Sequence, residues 1–191
     1  VQVTFGIPSQ GSWEDEMGLS LVQAISQFPH DLHFSVQRGP YLALAREACL
    51  VEALQVKSDY LVFIDTDMAF QTDALPRLLA HGKDIIGGAY NEKRFPPVST
   101  VKLDDGTGKI FKGMKVLPKE PFRCIAVATG FMAINLKRLT QCMAPPCFTY
   151  AFDGTDFMSE DVQFCLRARK AGLEIWCDPT IPLRHIGRAA Y

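Results

Sequence analysis

The chain has 191 residues, long enough to bury a sizeable core within one compact domain. Hydrophobic residues make up 48% and charged residues 21%, as in ordinary globular proteins, and the net charge of −1 removes any global electrostatic case for nucleic acid or an anionic membrane. No apolar run approaches the roughly 20 residues that span a bilayer, so no transmembrane segment is expected, and no signal peptide is expected either.

In chain order, residues 2–7 predict a strand ending at Pro8, followed by a loop over 9–12. Residues 14–28 predict a helix, with Met17, Leu21, Val22 and Ile25 at helical spacing. A second strand over 31–36 precedes a second helix over 41–56, whose apolar face carries Leu42, Ala45, Cys49, Ala53 and Val56. Residues 60–64 are an uninterrupted apolar run that predicts a buried third strand. A helix over 73–81 has Pro76 near its first turn, and a fourth strand starts at 84–87. This alternation with short connections predicts a parallel sheet covered by helices.

The second half reads differently. Residues 98–103 and 109–116 flank Asp104-Asp105-Gly106-Thr107-Gly108, which predicts a hairpin. A strand over 123–129 is expected to break at Gly130, and a short helix to cover 136–142. Residues 145–157 read as irregular, 159–171 as a helix closed by Gly172, and 173–177 as the last strand. Six scattered cysteines, Cys49, Cys124, Cys142, Cys147, Cys165 and Cys177, form no C-x-x-C pair; they read as buried thiols of a reducing compartment, hence a cytoplasmic protein. The expectation is one domain, with an α/β front half and a more β-like back half.

The chemistry concentrates where strands end. The run Tyr60-Leu61-Val62-Phe63-Ile64 stops abruptly at Asp65-Thr66-Asp67. Unpaired carboxylates are too costly to fill a core, and on an extended chain residues i and i+2 point to one side. Asp65 and Asp67 can therefore converge on a hard divalent cation, which takes oxygen ligands; the plainer reading is an acidic loop capping the next helix. Open parallel sheets bind ligands at the carboxyl ends of their strands. Pro8-Ser9 and Gly87-Gly88-Ala89-Tyr90 also fall there, although either reads equally as a turn. Ser159-Glu160-Asp161 opens a helix, where acids suit the helix dipole, yet a carboxylate held there can also act as a general base. His185, just past a strand, is a candidate metal ligand against a structural histidine. Arg46 reads as a snorkelling surface residue, a diphosphate contact, or a tie for Asp65.

Taken in order, strand–Pro8, Arg46, Asp65-Thr66-Asp67, Gly87-Gly88-Ala89-Tyr90, Thr129-Gly130-Phe131-Met132, Glu160-Asp161 and His185, the chain resembles GT-A-fold glycosyltransferases, most of all compact family 2-type enzymes of bacteria and phages. The likeness runs over nearly the whole chain. It implies a Rossmann-like α/β fold with a mixed, mainly parallel sheet flanked by helices and a β-hairpin insertion in the second half. It divides the chain into a nucleotide-binding half (1–90) and an acceptor-binding half (91–191). The implied donor is a UDP- or GDP-sugar with Mn²⁺ or Mg²⁺. By resemblance Asp67, Asp65 and His185 hold the metal; Pro8, Ser9, Arg46, Asp65 and Thr66 lie near the nucleotide. Gly88, Tyr90 and Arg94 line the donor sugar, Gly130 and Phe131 the acceptor, and Asp161, or its neighbour Glu160, serves as base.

The sequence departs from that family in places. Ser9-Gln10-Gly11-Ser12-Trp13 stands where family 2 enzymes carry a Tyr-Asn-like loop, and Glu47 stands where an amide is common. No membrane helix follows, which implies a non-processive enzyme. The acceptor classes that remain are a glycan, a lipid-linked sugar or modified nucleic acid; Lys102, Lys109, Lys112 and Lys115 near the hairpin read first as a solvated sheet edge protected by lysines, with a charged acceptor as the alternative. A haloacid-dehalogenase-like phosphatase is the runner-up, since it also places Asp-x-Asp after an apolar strand. Here that strand is the third rather than the first, Ala69 replaces the usual Thr or Val, and Asp153-Gly154-Thr155-Asp156 is the nearest thing to its later acidic pair. A non-catalytic nucleotide-sugar-binding module is the third reading.

Overall fold

A single mixed sheet carries the molecule. In the computed structural model, which describes residues 1–104, 110–111, 117–152, 154 and 157–187, seven strands lie in the order β2-β1-β3-β9-β5-β12-β8. They are β1 (Gln2–Ser9), β2 (Asp31–Arg38), β3 (Tyr60–Ile64), β5 (Ile85–Gly88), β8 (Phe122–Arg123), β9 (Phe131–Asn135) and β12 (Ile175–Asp178). β1 pairs parallel with β2 and β3, and β5 pairs parallel with β12. β9 runs antiparallel between β3 and β5, and β8 antiparallel along β12. The result is a mixed α/β fold of Rossmann-like layout.

Strand alternation sends side chains into two separate cores. Leu61 and Phe63 of β3, with Met132 and Ile134 of β9, pack on one side with Leu50 and Ala53 of α2 (Leu42–Gln55), Leu139 of α4 (Leu136–Cys142) and Phe164 of α5 (Glu160–Lys170). Val62, Ile64, Phe131 and Ala133 point to the other side, against Met17 and Leu21 of α1 (Asp15–Ile25) and Leu75 and Leu78 of α3 (Ala74–Ala80). A strand covered on both faces must be apolar throughout, which is why 60–64 shows no alternation in the sequence. All six cysteines are free, and all but Cys142 are buried. Among the described residues no helix is long and apolar enough to cross a membrane.

Several expectations need correction. The all-parallel reading of the front half misses β9, which inserts between the third and fourth parallel strands. Gly130 does mark a break, but the strand begins after it rather than ending before it. Residues 124–127 are buried and lie outside the strands: the Cys124 N–H bonds to the Ile175 carbonyl and Ala126 forms an isolated bridge with Lys102, so their apolar character reflects core packing and not an extended ladder. The first strand continues through Pro8: β3 accompanies β1 only as far as Gly6, and beyond that point β1 is one-sided, where a residue without an N–H is tolerated. Residues 98–103 contribute mainly the pairing of β6 (Leu103–Asp104) with β7 (Ile110–Phe111), whose turn at 105–109, with Lys109, Lys112 and Lys115, lies outside the described residues. The segment read as irregular contains a short antiparallel pair, β10 (Ala151–Phe152) and β11 (Phe157–Met158); Asp153, Thr155 and Asp156 between them are likewise outside.

One unpredicted pairing positions the site. β4 (Met68–Phe70) runs antiparallel to β13 (Leu183–His185), with His185 opposite Met68. Three-residue strands carry no readable period, yet this register brings the end of the chain back beside the acidic pair.

Candidate functional site

The chain leaves the sheet at Asp65. Its amide donates to the Gly130 carbonyl at 2.9 Å, its carbonyl accepts the Met68 N–H at 3.1 Å, and the Thr66 carbonyl accepts the Glu14 N–H at 2.9 Å. These bonds hold the acidic turn between α1 and β9. The side chain of Asp65 faces Arg46, which lies on the buried face of α2 with Leu50 and Ala53 and is only 2% exposed. Arg46 Nη2 donates to Asp65 Oδ2 at 3.2 Å, and Nη1 lies 3.0 Å from Oδ1, within ion-pair range but off hydrogen-bond geometry. Nε donates to Glu160 Oε1 at 3.1 Å, and Glu160 is itself buried. Burial alone would make this guanidinium easier to deprotonate, but Asp65 and Glu160 hold it firmly charged. Of the readings open for Arg46, the tie to Asp65 is the one seen. Glu160 is engaged beneath the site and does not face an open cleft. Glu47, next to Arg46, accepts the Cys147 and Phe148 amides at 2.8 Å each and so pins the loop that precedes α5.

Asp67 has a different environment. Lys93 Nζ lies 2.6 Å from its Oδ2, and His185 Nε2 lies 3.5 Å from the same oxygen. Asp67 Oδ1 is buried with no hydrogen-bond partner among the described residues. His185 Nδ1 sits 2.9 Å from the Asn91 carbonyl, which can only accept, so Nδ1 carries the proton. Nε2 is then the atom that faces the carboxylate, as a lone pair when the ring is neutral and as an N–H when it is charged. With the ring neutral the gap holds two acceptors, an arrangement that a cation stabilises, and with the ring charged His185 itself donates to Asp67. Burial pushes the Asp67 carboxyl up, but the contacts with His185 and Lys93 outweigh it and hold it below the ordinary carboxylate range. Asp67 and His185 are fixed by backbone as well, through the Ile186 N–H on the Asp67 carbonyl at 2.8 Å.

Tyr90 closes the third side. Its hydroxyl oxygen accepts the Gly130 N–H at 3.0 Å, and its ring meets His185 edge-on with centroids 5.2 Å apart. Burial first, then the charges of Asp65 and Asp161, push its phenol well above the usual range, so it stays protonated. A side chain at Gly130 would strike Tyr90 Oη at 2.3 Å and crowd Asp65 Oδ2 at 3.1 Å, so this glycine permits the close approach. Gly88 faces Leu183, whose Cδ1 would lie 2.4 Å from an added Cβ; its bareness serves packing with β13. Phe131 is fully buried in the core, and Arg94 is largely exposed and paired with Glu92 at 3.1 Å, so neither side chain joins the cluster. Asp161, in the first turn of α5, takes the Val162 N–H at 2.7 Å and a bond from Ser159 Oγ, both on Oδ1.

A cleft of about 280 Å³ opens beside the acidic pair, lined in part by Pro8, Ser9, Glu14, Asp65, Thr66 and Asp67. Ser9 is braced by the Gly11 N–H on its Oγ at 3.0 Å. The lining carries the carboxylates of Glu14, Asp65 and Asp67, while Arg46 is spent on Asp65 and Glu160 and Lys93 on Asp67, so an added cation would favour an anionic ligand here. Among the described residues no group of three or more His, Cys, Asp or Glu side chains is arranged to hold a metal ion. Asp67 and His185 nevertheless offer two donors of the right chemistry: a buried carboxylate oxygen without a hydrogen-bond partner among the described residues, and a ring nitrogen with its tautomer set. Sequence reasoning missed Lys93 and the Asn91 carbonyl, which lie in a loop without periodicity.

No family model matches the chain, and no curated protein matches it. Among solved structures the chain is similar to A197 from STIV, at 21% sequence identity and a TM-score of 0.65, over 97% of this chain and 85% of that one. At that identity the likeness is one of fold. It extends over nearly all of the present chain.

Proposed function

We propose that this chain is a GT-A-type glycosyltransferase that moves a sugar from a UDP- or GDP-sugar to an acceptor hydroxyl with the help of Mn²⁺ or Mg²⁺. The observation that carries the reading is the meeting of Asp67 and His185 at the carboxyl edge of the sheet, beside a cleft lined by Pro8, Ser9 and Thr66. Asp67 and His185 would hold the divalent ion. When bound, that ion supplies Lewis-acid stabilisation of the diphosphate leaving group.

The protein's own residues account for the rest. Arg46 and Glu160 fix Asp65 at the rim of the nucleotide cleft. Tyr90, protonated and held on the Gly130 amide, walls the sugar side. Asp161 takes the proton from the acceptor hydroxyl as its oxygen bonds to the anomeric carbon, and the bond from that carbon to the diphosphate breaks with its electron pair leaving on the phosphate oxygen. Attack from the face opposite the leaving group inverts the anomeric centre. Among the described residues the cations beside the acidic pair are already committed, Arg46 to Asp65 and Glu160 and Lys93 to Asp67, which supports a cation-dependent donor over direct phosphate binding. Asp65 is pinned by a buried guanidinium, which does not suit the free carboxylate nucleophile of a phosphatase. The acceptor classes are a glycan, a lipid-linked sugar or modified nucleic acid, and a cytoplasmic setting suits the free thiols.

Turnover separates these readings. The protein, incubated with a panel of nucleotide sugars and Mn²⁺, is expected to release nucleoside diphosphate by slow donor hydrolysis even without acceptor. Release of phosphate from simple phosphoesters, with nucleotide sugars untouched, would instead establish the phosphatase, and donor binding without any release would establish a binding module.

A further inference from the structure

We propose that Lys93 is a cation latch: its ammonium holds Asp67 until a divalent ion arrives together with a diphosphate, and it then moves to the diphosphate. The inference rests on the donor-site reading above and adds a residue and an order of events to it. Three observations carry it. Lys93 Nζ sits 2.6 Å from Asp67 Oδ2, the oxygen that also faces His185 Nε2 at 3.5 Å. A cation therefore already stands at the point where carboxylate and imidazole converge. The other oxygen, Asp67 Oδ1, is buried and without a partner among the described residues, so the lysine satisfies only part of the group. Finally, the lysine is easily displaced: its side chain is one-third exposed, on a loop anchored around it rather than through it.

That anchoring is specific. The Glu92 N–H bonds to the Val98 carbonyl at 2.8 Å, Asn91 bridges to Ser99, and the Glu92 carboxylate takes Lys102 and Arg94 at 3.1 Å each. The base of the loop is thus fixed while the Lys93 side chain is free to swing. Lysine–carboxylate pairs open to solvent contribute little, so a bound ion readily replaces one. A like charge so near nevertheless repels a lone divalent ion. A diphosphate removes that penalty, because it brings negative charge to which the released ammonium can turn. Metal and nucleotide should therefore bind with positive coupling that depends on Lys93.

The test is metal affinity rather than turnover. Mn²⁺ binding to the full chain is followed by the spin-resonance signal of free Mn²⁺, without nucleotide and with saturating UDP or GDP, in the wild type, Lys93→Met and Lys93→Arg. Lys93→Met is expected to bind Mn²⁺ alone about three- to tenfold more tightly, from loss of the competing ion pair and its repulsion. The gain in Mn²⁺ affinity on adding nucleotide should shrink by a similar factor, and Lys93→Arg should restore wild-type behaviour. Equal Mn²⁺ affinity and equal coupling in all three proteins would overturn the latch while leaving the donor site standing. Nucleotide that binds without Mn²⁺ and is lost in Lys93→Met would overturn it in favour of a lysine that replaces the metal. No Mn²⁺ binding by any of the three, with or without nucleotide, would remove the donor-site reading and the latch together. Lys93→Ala repeats the comparison without the long apolar stem.

Discussion

The two acids of the turn after β3 sit two residues apart and live in opposite surroundings. Asp65 belongs to a buried chain of charge, Arg46 between Asp65 and Glu160, that ties α2, β3 and α5 into one block. Asp67 belongs to a half-open group, Lys93 and His185, drawn from two segments of the second half, with one oxygen left over. The difference teaches that an acidic pair at a strand end need not be one ligand set. One carboxylate is committed to the fold and gives the site its rigidity. The other is kept incomplete and is the one that chemistry can use.

Breaking the committed side should have the largest effect. Arg46→Met leaves Asp65 and Glu160 as facing carboxylates with no counter-charge, and removal of one partner from a buried ionic network costs about 3–5 kcal/mol. Urea unfolding of this variant should show that loss, and a loss below 1 kcal/mol would mean that the network is not the structural tie described here. Asp161→Asn tests the proposed base from the other direction. It keeps shape but takes no proton, so transfer should fall by roughly 10²–10⁴ while donor binding and unfolding change little. A helix-start role alone predicts the reverse, about 0.3–1 kcal/mol of stability lost and turnover kept. The smallest effect is expected at the seam between the two environments. Gly130→Ala pushes a methyl group against Tyr90 Oη and Asp65, which should destabilise by about 1–3 kcal/mol and lower the melting temperature without touching Asp67. An unshifted melting temperature would show that Tyr90 moves aside freely.

The same contrast explains how much could be read from the residues alone. The committed side was legible: the apolar run 60–64 is β3 as expected, residues 136–142 form α4, and Arg46 amid Leu and Ala was an anomaly whose tie to Asp65 was one of the open readings. Local pattern suffices there, because burial on both faces of a strand and an arginine on an apolar helix face leave marks in the sequence. The incomplete side was not legible. His185 could be suspected from its type and its place in the motif order but not located, since its position depends on β4 and β13, three residues each, whose pairing is a long-range event. Lys93 lies in a loop held by Glu92, Val98 and Lys102, and nothing in its neighbours marks it. β9 was missed because a glycine break looks the same whether a strand ends before it or starts after it. Gly88 and Phe131, read as ligand contacts, show why a glycine or aromatic at a strand end is ambiguous: one makes room for Leu183 and the other fills the core.

The central claim is that Asp67, and not Asp65, holds the cation through which a nucleoside diphosphate binds. Calorimetric titration of UDP and GDP into the wild type and Asp67→Asn, each with Mn²⁺ and with EDTA, tests it most directly. The account predicts binding by the wild type only with Mn²⁺, none by Asp67→Asn in either condition, and unfolding of the variant close to that of the wild type. Nucleotide binding that survives EDTA, or that Asp67→Asn retains with Mn²⁺, would contradict it.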